Sequence, residues 1–217
     1  MIRDKKYDVS GLLEAQFELG SRGFVLKNLL HIKKKGEMDQ IEAVALKQAE
    51  DACFRTYGKN HRFTANDIRK IHKLWLGKMY YWAGNYRQVN IGKGNFKFAS
   101  ATHIPQLMQE FEELVLSQNT PCNFKSNKEI INAIAKVHVE LVLIHPFREG
   151  NGRIARLLAT IMAVQSGLPP LDFSHIQNKK KQEYFAAVRC GLNQDYGPME
   201  KIFDEVVKKT ISRQESK

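Results

Sequence analysis

Cysteine is scarce in this chain and poorly arranged for binding anything. Cys53, Cys122 and Cys190 are far apart and odd in number. They form no CxxC pair and no metal-type spacing, which leaves three reduced thiols. Long apolar runs are lacking too: no stretch approaches the roughly 20 residues that span a bilayer. The opening residues Met1-Ile2-Arg3-Asp4-Lys5-Lys6 are charged and lead into no apolar core of signal-peptide type. The expectation is a cytoplasmic protein, with export by a route that leaves no N-terminal mark still open. Internal repeats, low-complexity tracts and Pro/Gly/Ser-rich linkers are also missing. The 217 residues therefore read as one domain with enough chain for a real core.

What is present in excess is positive charge. A formal net charge of +11 attracts nucleic acid, anionic membranes, acidic proteins or phosphate-bearing ligands. The clusters Lys33-Lys34-Lys35 and Lys179-Lys180-Lys181 are not interleaved with aromatics in the manner of a strand-binding surface, so they read as solvated lysine faces. Charge alone leaves a non-enzymatic nucleic-acid binder as a competing class.

Helical periodicity dominates the pattern. From Glu37 to about Cys53, apolar positions Met38, Ile41, Ala45, Leu46 and Ala49 recur at helical spacing. Thr64 with Asp67, and Ser126 with Glu129, resemble capping boxes ahead of two further helices. The second of these, Ile130 to Ile144, is apolar almost all round and is expected at the centre of the core. Another helix is expected from about Gly152 to Ser166, stopped by Gly167, Pro169 and Pro170. Two more fit Lys180 to Leu192 and Met199 to Ile211. Between Gln88 and Phe98, two short alternating runs flank Gly92 to Asn95 and predict a small β-hairpin. The fold class is all-α with one hairpin.

Between the central helix and the next lies Ile144-His145-Pro146-Phe147-Arg148-Glu149-Gly150-Asn151-Gly152-Arg153-Ile154-Ala155-Arg156. This short polar loop opens onto a helix N-terminus, where backbone N–H groups lack intrahelical partners and the dipole is positive. Gly150 and Gly152 let those groups approach a ligand closely, and such a nest suits phosphate oxygens. Arg153 and Arg156 share one helix face and oppose the dipole, so a multiply charged anion would supply the missing counterweight. Glu149 suits a hard cation such as magnesium, which takes one or two carboxylates beside phosphate and water. His145 suits proton removal from an attacking hydroxyl near neutral pH. Phe147 reads as a core anchor, and His138 as a satisfied core histidine.

The segment His145–Arg156 resembles the Fic family signature H-P-F-x-[D/E]-G-N-G-R-x-x-R and matches every specified position. Trp82-Ala83-Gly84-Asn85-Tyr86-Arg87 looks like the family's approach to its flap. Asn28-Leu29-Leu30-His31-Ile32 looks like a segment near the start of short, toxin-like members, where glycine usually stands at the place of His31. The resemblance implies a single Fic domain over 1–217. N-terminal helices would occupy 1–58 and a catalytic core 59–212, with the flap at 88–98 and the motif loop at 145–156.

It further implies a protein adenylyltransferase that moves AMP from Mg-ATP to a Tyr, Thr or Ser hydroxyl of a target protein. His145 would be the general base and Glu149 would hold Mg²⁺. Gly150, Asn151 and Gly152 would form the anion hole, and Arg153 and Arg156 would grip the β- and γ-phosphates. The flap would align the target as an added strand. Lys93 at its tip would reach a phosphate, or be an exposed turn lysine. Tyr184 would line the adenine pocket, or sit in the core. Relatives with altered motifs transfer phosphate, UMP or phosphocholine, or remove AMP, and these remain alternatives. Many relatives are restrained by a helix of pattern [S/T]-x-x-x-E-[G/N]. Ser10-Gly11-Leu12-Leu13-Glu14-Ala15 fits it except at Ala15, so Ser10 and Glu14, in a helix near 10–18, are candidates, with Glu14 pairing Arg156. A plain surface glutamate, or a restraining glutamate from a separate small antitoxin, are the other possibilities.

Overall fold

The computed structural model describes residues 11–94, 96–174, 176 and 179–215. Helices α1 (Lys35–Thr56) and α2 (Ala65–Leu76) come first, followed by strands β1 (Gly92–Lys93) and β2 (Phe96–Lys97). Then come α3 (Ile104–Phe111), α4 (Ser117–Asn119), α5 (Asn127–Ile144), α6 (Asn151–Gln165), α7 (Lys179–Cys190) and α8 (Gly197–Glu215). The architecture is all-α with a single two-stranded sheet among the described residues.

Both expected capping boxes form. Thr64 and Ser126 each accept from the backbone three residues on, and Asp67 and Glu129 return the bond. Each cap satisfies N–H groups the helix cannot, worth about 1 kcal/mol. Helix α5 is the axis of the molecule and packs against α3, α6, α7 and α8. Ala133, Ile134, Ala135, Val137, Val139 and Leu141 are all buried, and the helix meets water chiefly along the stripe of Lys128, Asn132, Lys136 and Glu140. Gly167 ends α6 at φ +88, as its place beyond the last turn requires.

Three expectations need correction. First, no helix runs through 11–18: Glu14 sits in a single 3-10 turn, Leu13–Ala15, and Phe17 then bridges Leu26 in antiparallel fashion. Ser10 lies outside the described residues. Second, the hairpin turn is tighter than Gly92 to Asn95. Gly92 and Lys93 already pair with Lys97 and Phe96, leaving Gly94 at φ +57 to begin the reversal. Third, an unexpected helix fills Ile104–Asn119, passing from α3 to α4 through a wider π-type stretch at Glu112–Leu116. Its stripe of Ile104, Met108, Phe111 and Val115 is buried.

His31 sits at φ +55, a left-handed conformation in which glycine is the unstrained choice. The turn is imposed by Asn28, whose side-chain Oδ1 accepts from Leu30 N–H (3.1 Å) and Ile32 N–H (3.0 Å). All three cysteines are free, with Cys53 and Cys122 buried. No described helix is long and apolar enough to cross a membrane.

Candidate active site

The loop from α5 to α6 is fixed by contacts that reach its backbone. His145 caps α5 in the left-handed region, at φ 53 and ψ 59, a conformation that costs a non-glycine residue on the order of 1 kcal/mol. Its Nδ1 lies 2.9 Å from the Val142 carbonyl, which only accepts, so Nδ1 carries the proton and Nε2 is left basic. The ring stacks on Phe98 of the hairpin, centroids 3.6 Å apart. Burial pushes the imidazole down to about 4, helped by nearby Arg87 and Lys93 and opposed by the Val142 bond and Glu149. The ring is therefore neutral at pH 7 and able to accept a proton.

Phe147 is fully buried, as expected, and stacks on His72 at 3.9 Å. His72 accepts from Gly84 N–H at Nδ1 (2.8 Å), so its Nε2–H donates to the Glu149 carbonyl (3.1 Å). Asn151 is anchored through its side chain. Its side chain turns inward, accepting from Phe147 N–H and donating to the Phe147 carbonyl, each at 2.8 Å. Its backbone N–H stands at a helix start that no side chain caps. Gly150 is obligatory twice over: its φ is +84, and a β-carbon there would lie 2.5 Å from the Trp75 ring.

The two arginines are treated differently. Arg153 pairs with Glu42 of α1 (2.7 Å), lies 3.5 Å from Glu149, and stands over the Trp75 ring at 4.5 Å. Glu42 is buried and also accepts from the Tyr80 hydroxyl (2.7 Å). The expected counterweight for Arg153 is thus largely internal. Arg156 has no acidic partner among the described residues and lines the cavity.

That cavity, of about 380 Å³, gathers Lys93, Phe98, His145, Glu149–Arg153, Arg156, Tyr184 and Phe185. Lys93 reaches across from β1 to α7, its Nζ 3.8 Å over the Phe185 ring; burial and Lys181 lower its pKa. Tyr184 is both wall and core: it lines the cavity, but its hydroxyl is bonded to buried His138 (2.7 Å). Glu149, with its side chain 48% exposed, is the only carboxylate among the described residues lining this cavity. Among the described residues no group of three or more His, Cys, Asp or Glu is placed to hold a metal. A cation here would draw most of its shell from water and phosphate, as magnesium does.

Arg87, which spacing alone does not single out, organises the hairpin's root. It is 1% exposed and donates to carbonyls of Val89 (2.7 Å), Ala99 (2.6 Å) and His145 (2.8 Å). Glu14 does not reach Arg156. Its carboxylate accepts from Gln88 N–H (2.6 Å) and Val89 N–H (2.9 Å), and its carbonyl accepts from Arg148 (2.8 Å).

Residues 62–163, which hold α2, the hairpin, α5 and the whole loop, match the family model described as the Fic/DOC family. This chain carries a Fic/DOC family domain. The chain is 30% identical over 156 residues to protein adenylyltransferase VbhT of Bartonella schoenbuchensis, covering 72% of this chain and 32% of that protein. It is 28% identical over 149 residues to protein adenylyltransferase Fic of Drosophila willistoni, covering 68% of this chain and 28% of that one. The chain thus spans about a third of the length of the curated relatives it matches. Among solved structures, the Fic domain of a Bartonella effector protein from Bartonella sp. AR 15-3 has a TM-score of 0.71 at 21% identity, covering 89% of this chain and 91% of that chain. BepC from Bartonella tribocorum, with bound AMPPNP, has a TM-score of 0.66 at 23% identity, covering 83% and 91%.

Proposed function

We propose that this chain is a protein adenylyltransferase that transfers AMP from ATP to a hydroxyl side chain of another protein. One observation carries the reading. Among the described residues, a neutral imidazole, an uncapped helix N-terminus, an arginine without an acidic partner and a lone carboxylate share one cavity beneath a hairpin. The relatives named adenylyltransferases, and neighbours solved with AMPPNP or ADP, support it.

In this reading His145 Nε2 takes the proton of a Tyr, Thr or Ser hydroxyl as its oxygen attacks the α-phosphorus. The bond to the bridging oxygen breaks and pyrophosphate leaves. The backbone N–H groups of Asn151 and Gly152, with Arg156, hold the phosphate oxygens, and Arg153 adds a fixed donor. Lys93 adds positive charge from above, and Tyr184 presents its ring to the base. Glu149 would hold magnesium, which when bound neutralises charge on the phosphates. The target docks along the hairpin as an added strand. Arg156, without a carboxylate partner among the described residues, is also where a glutamate from a small antitoxin protein would compete with nucleotide.

The test is incubation with a lysate and ATP labelled at the α- or the γ-phosphate, followed by mass spectrometry. Label from the α-position alone is expected; label from the γ-position would mean phosphate transfer, and label from neither would remove the reading. His145→Ala should cut transfer at least about 10²-fold while nucleotide still binds by calorimetry.

A further inference from the structure

We propose that Glu14 is a positioning residue for the hairpin, fixing the target-docking strand relative to His145; this deepens the functional reading above and rests on it. Glu14 is 7% exposed and is not among the residues lining the nucleotide cavity. Its Oε1 takes two adjacent amides, those of Gln88 and Val89, on the segment leading into β1. Arg87 grips the same residue from its other side, donating to the Val89 carbonyl, and reaches the returning strand at Ala99. Val89 is therefore held by its N–H and its C=O between two opposite charges.

The clamp is tied to the chemistry at two points. Arg87 donates through Nε to the His145 carbonyl, 2.8 Å away. Arg148 of the motif loop donates to the Glu14 carbonyl, also at 2.8 Å. A strap near the chain's start, the root of the hairpin and the base are thereby linked through charge-assisted bonds, which are shorter and stronger than neutral ones. Glu14 further supplies the negative charge that favours keeping Arg87 ionised, against the burial that pushes that guanidinium down to about 10. A hairpin whose strands are two residues each gains little orientation from its own ladder. Its aim depends on what holds its root. A misplaced strand would present the target hydroxyl away from Nε2 without changing the phosphate cradle.

The experiment compares the full chain with Glu14→Ala and Glu14→Gln, using three readouts. Hydrogen exchange by mass spectrometry over residues 86–99 should rise about tenfold in Glu14→Ala, since two buried amides lose their acceptor. Transfer to the target should fall about tenfold in kcat/KM. The Kd for ADP should stay within about twofold, because the cavity is untouched. Glu14→Gln, whose amide oxygen still accepts both N–H groups, should restore exchange and transfer towards wild type. Should Glu14→Ala fail to fold, Glu14→Asp withdraws the carboxylate by one methylene and is expected to show the same split, more mildly. Faster transfer in Glu14→Ala would make Glu14 a restraint and overturn the proposal, as would unchanged exchange or an equal loss of ADP binding. If the wild type transfers nothing, the functional reading falls, while exchange and ADP binding still decide the clamp.

Discussion

Arg153 and Arg156 stand three residues apart on α6, close to the same helix end, yet they live in different electrostatic worlds. Arg153 is paired with buried Glu42, approached by Glu149 and laid over Trp75. Arg156 borders the same cavity with no acidic partner among the described residues. A cation already matched by a buried carboxylate is a fixed donor of known direction. An unmatched one is free to meet charge that arrives from outside. Spacing makes the two look alike; α1, more than a hundred residues earlier, separates them.

Arg156→Ala should have the largest consequence for ligand binding. Loss of charge-assisted bonds to a triphosphate is expected to weaken nucleotide binding about 10²-fold in calorimetry, with the melting temperature nearly unchanged. Arg153→Ala should behave the other way round. It strands Glu42, 3% exposed, so stability in a denaturant titration should fall by about 2 kcal/mol. Nucleotide binding should weaken less than in Arg156→Ala; equal losses would erase the contrast. Glu42→Gln should have the smallest effect and sharpen it most. The amide keeps the shape and one acceptor, enough for the Tyr80 hydroxyl, but removes the negative charge and the second acceptor, so Arg153 becomes more like Arg156 and nucleotide should bind about threefold more tightly. Weaker binding would put the difference in geometry instead of charge.

Much of this was legible in the sequence wherever the signal is local. The capping boxes at Thr64 and Ser126, the apolar belt of α5 and the loop His145–Arg156 all depend on residues within a few turns of each other. The hidden parts are long-range. Glu42 to Arg153, Glu14 to Val89, His72 to Glu149 and Arg87 to His145 join residues that no period relates. The counterweight to the arginine pair was sought in a ligand because the internal one sits on another helix. The side chain of Asn151, whose partner the motif does not reveal, closes the loop on Phe147. Helix Ile104–Asn119 was missed although Ile104, Met108 and Phe111 are spaced for it; its π-type stretch at Glu112–Leu116 breaks the simple period midway.

Helix α5 also acts as a ruler. It runs 18 residues from the Ser126 cap and stops on His145 itself. Both ends are anchored and nearly every side is packed, so the helix cannot slide to absorb a change in length. One residue inserted within it would swing the imidazole about 100° around the axis and lift it by about 1.5 Å. The reach of the base is therefore counted out along the core, far from the cavity it serves.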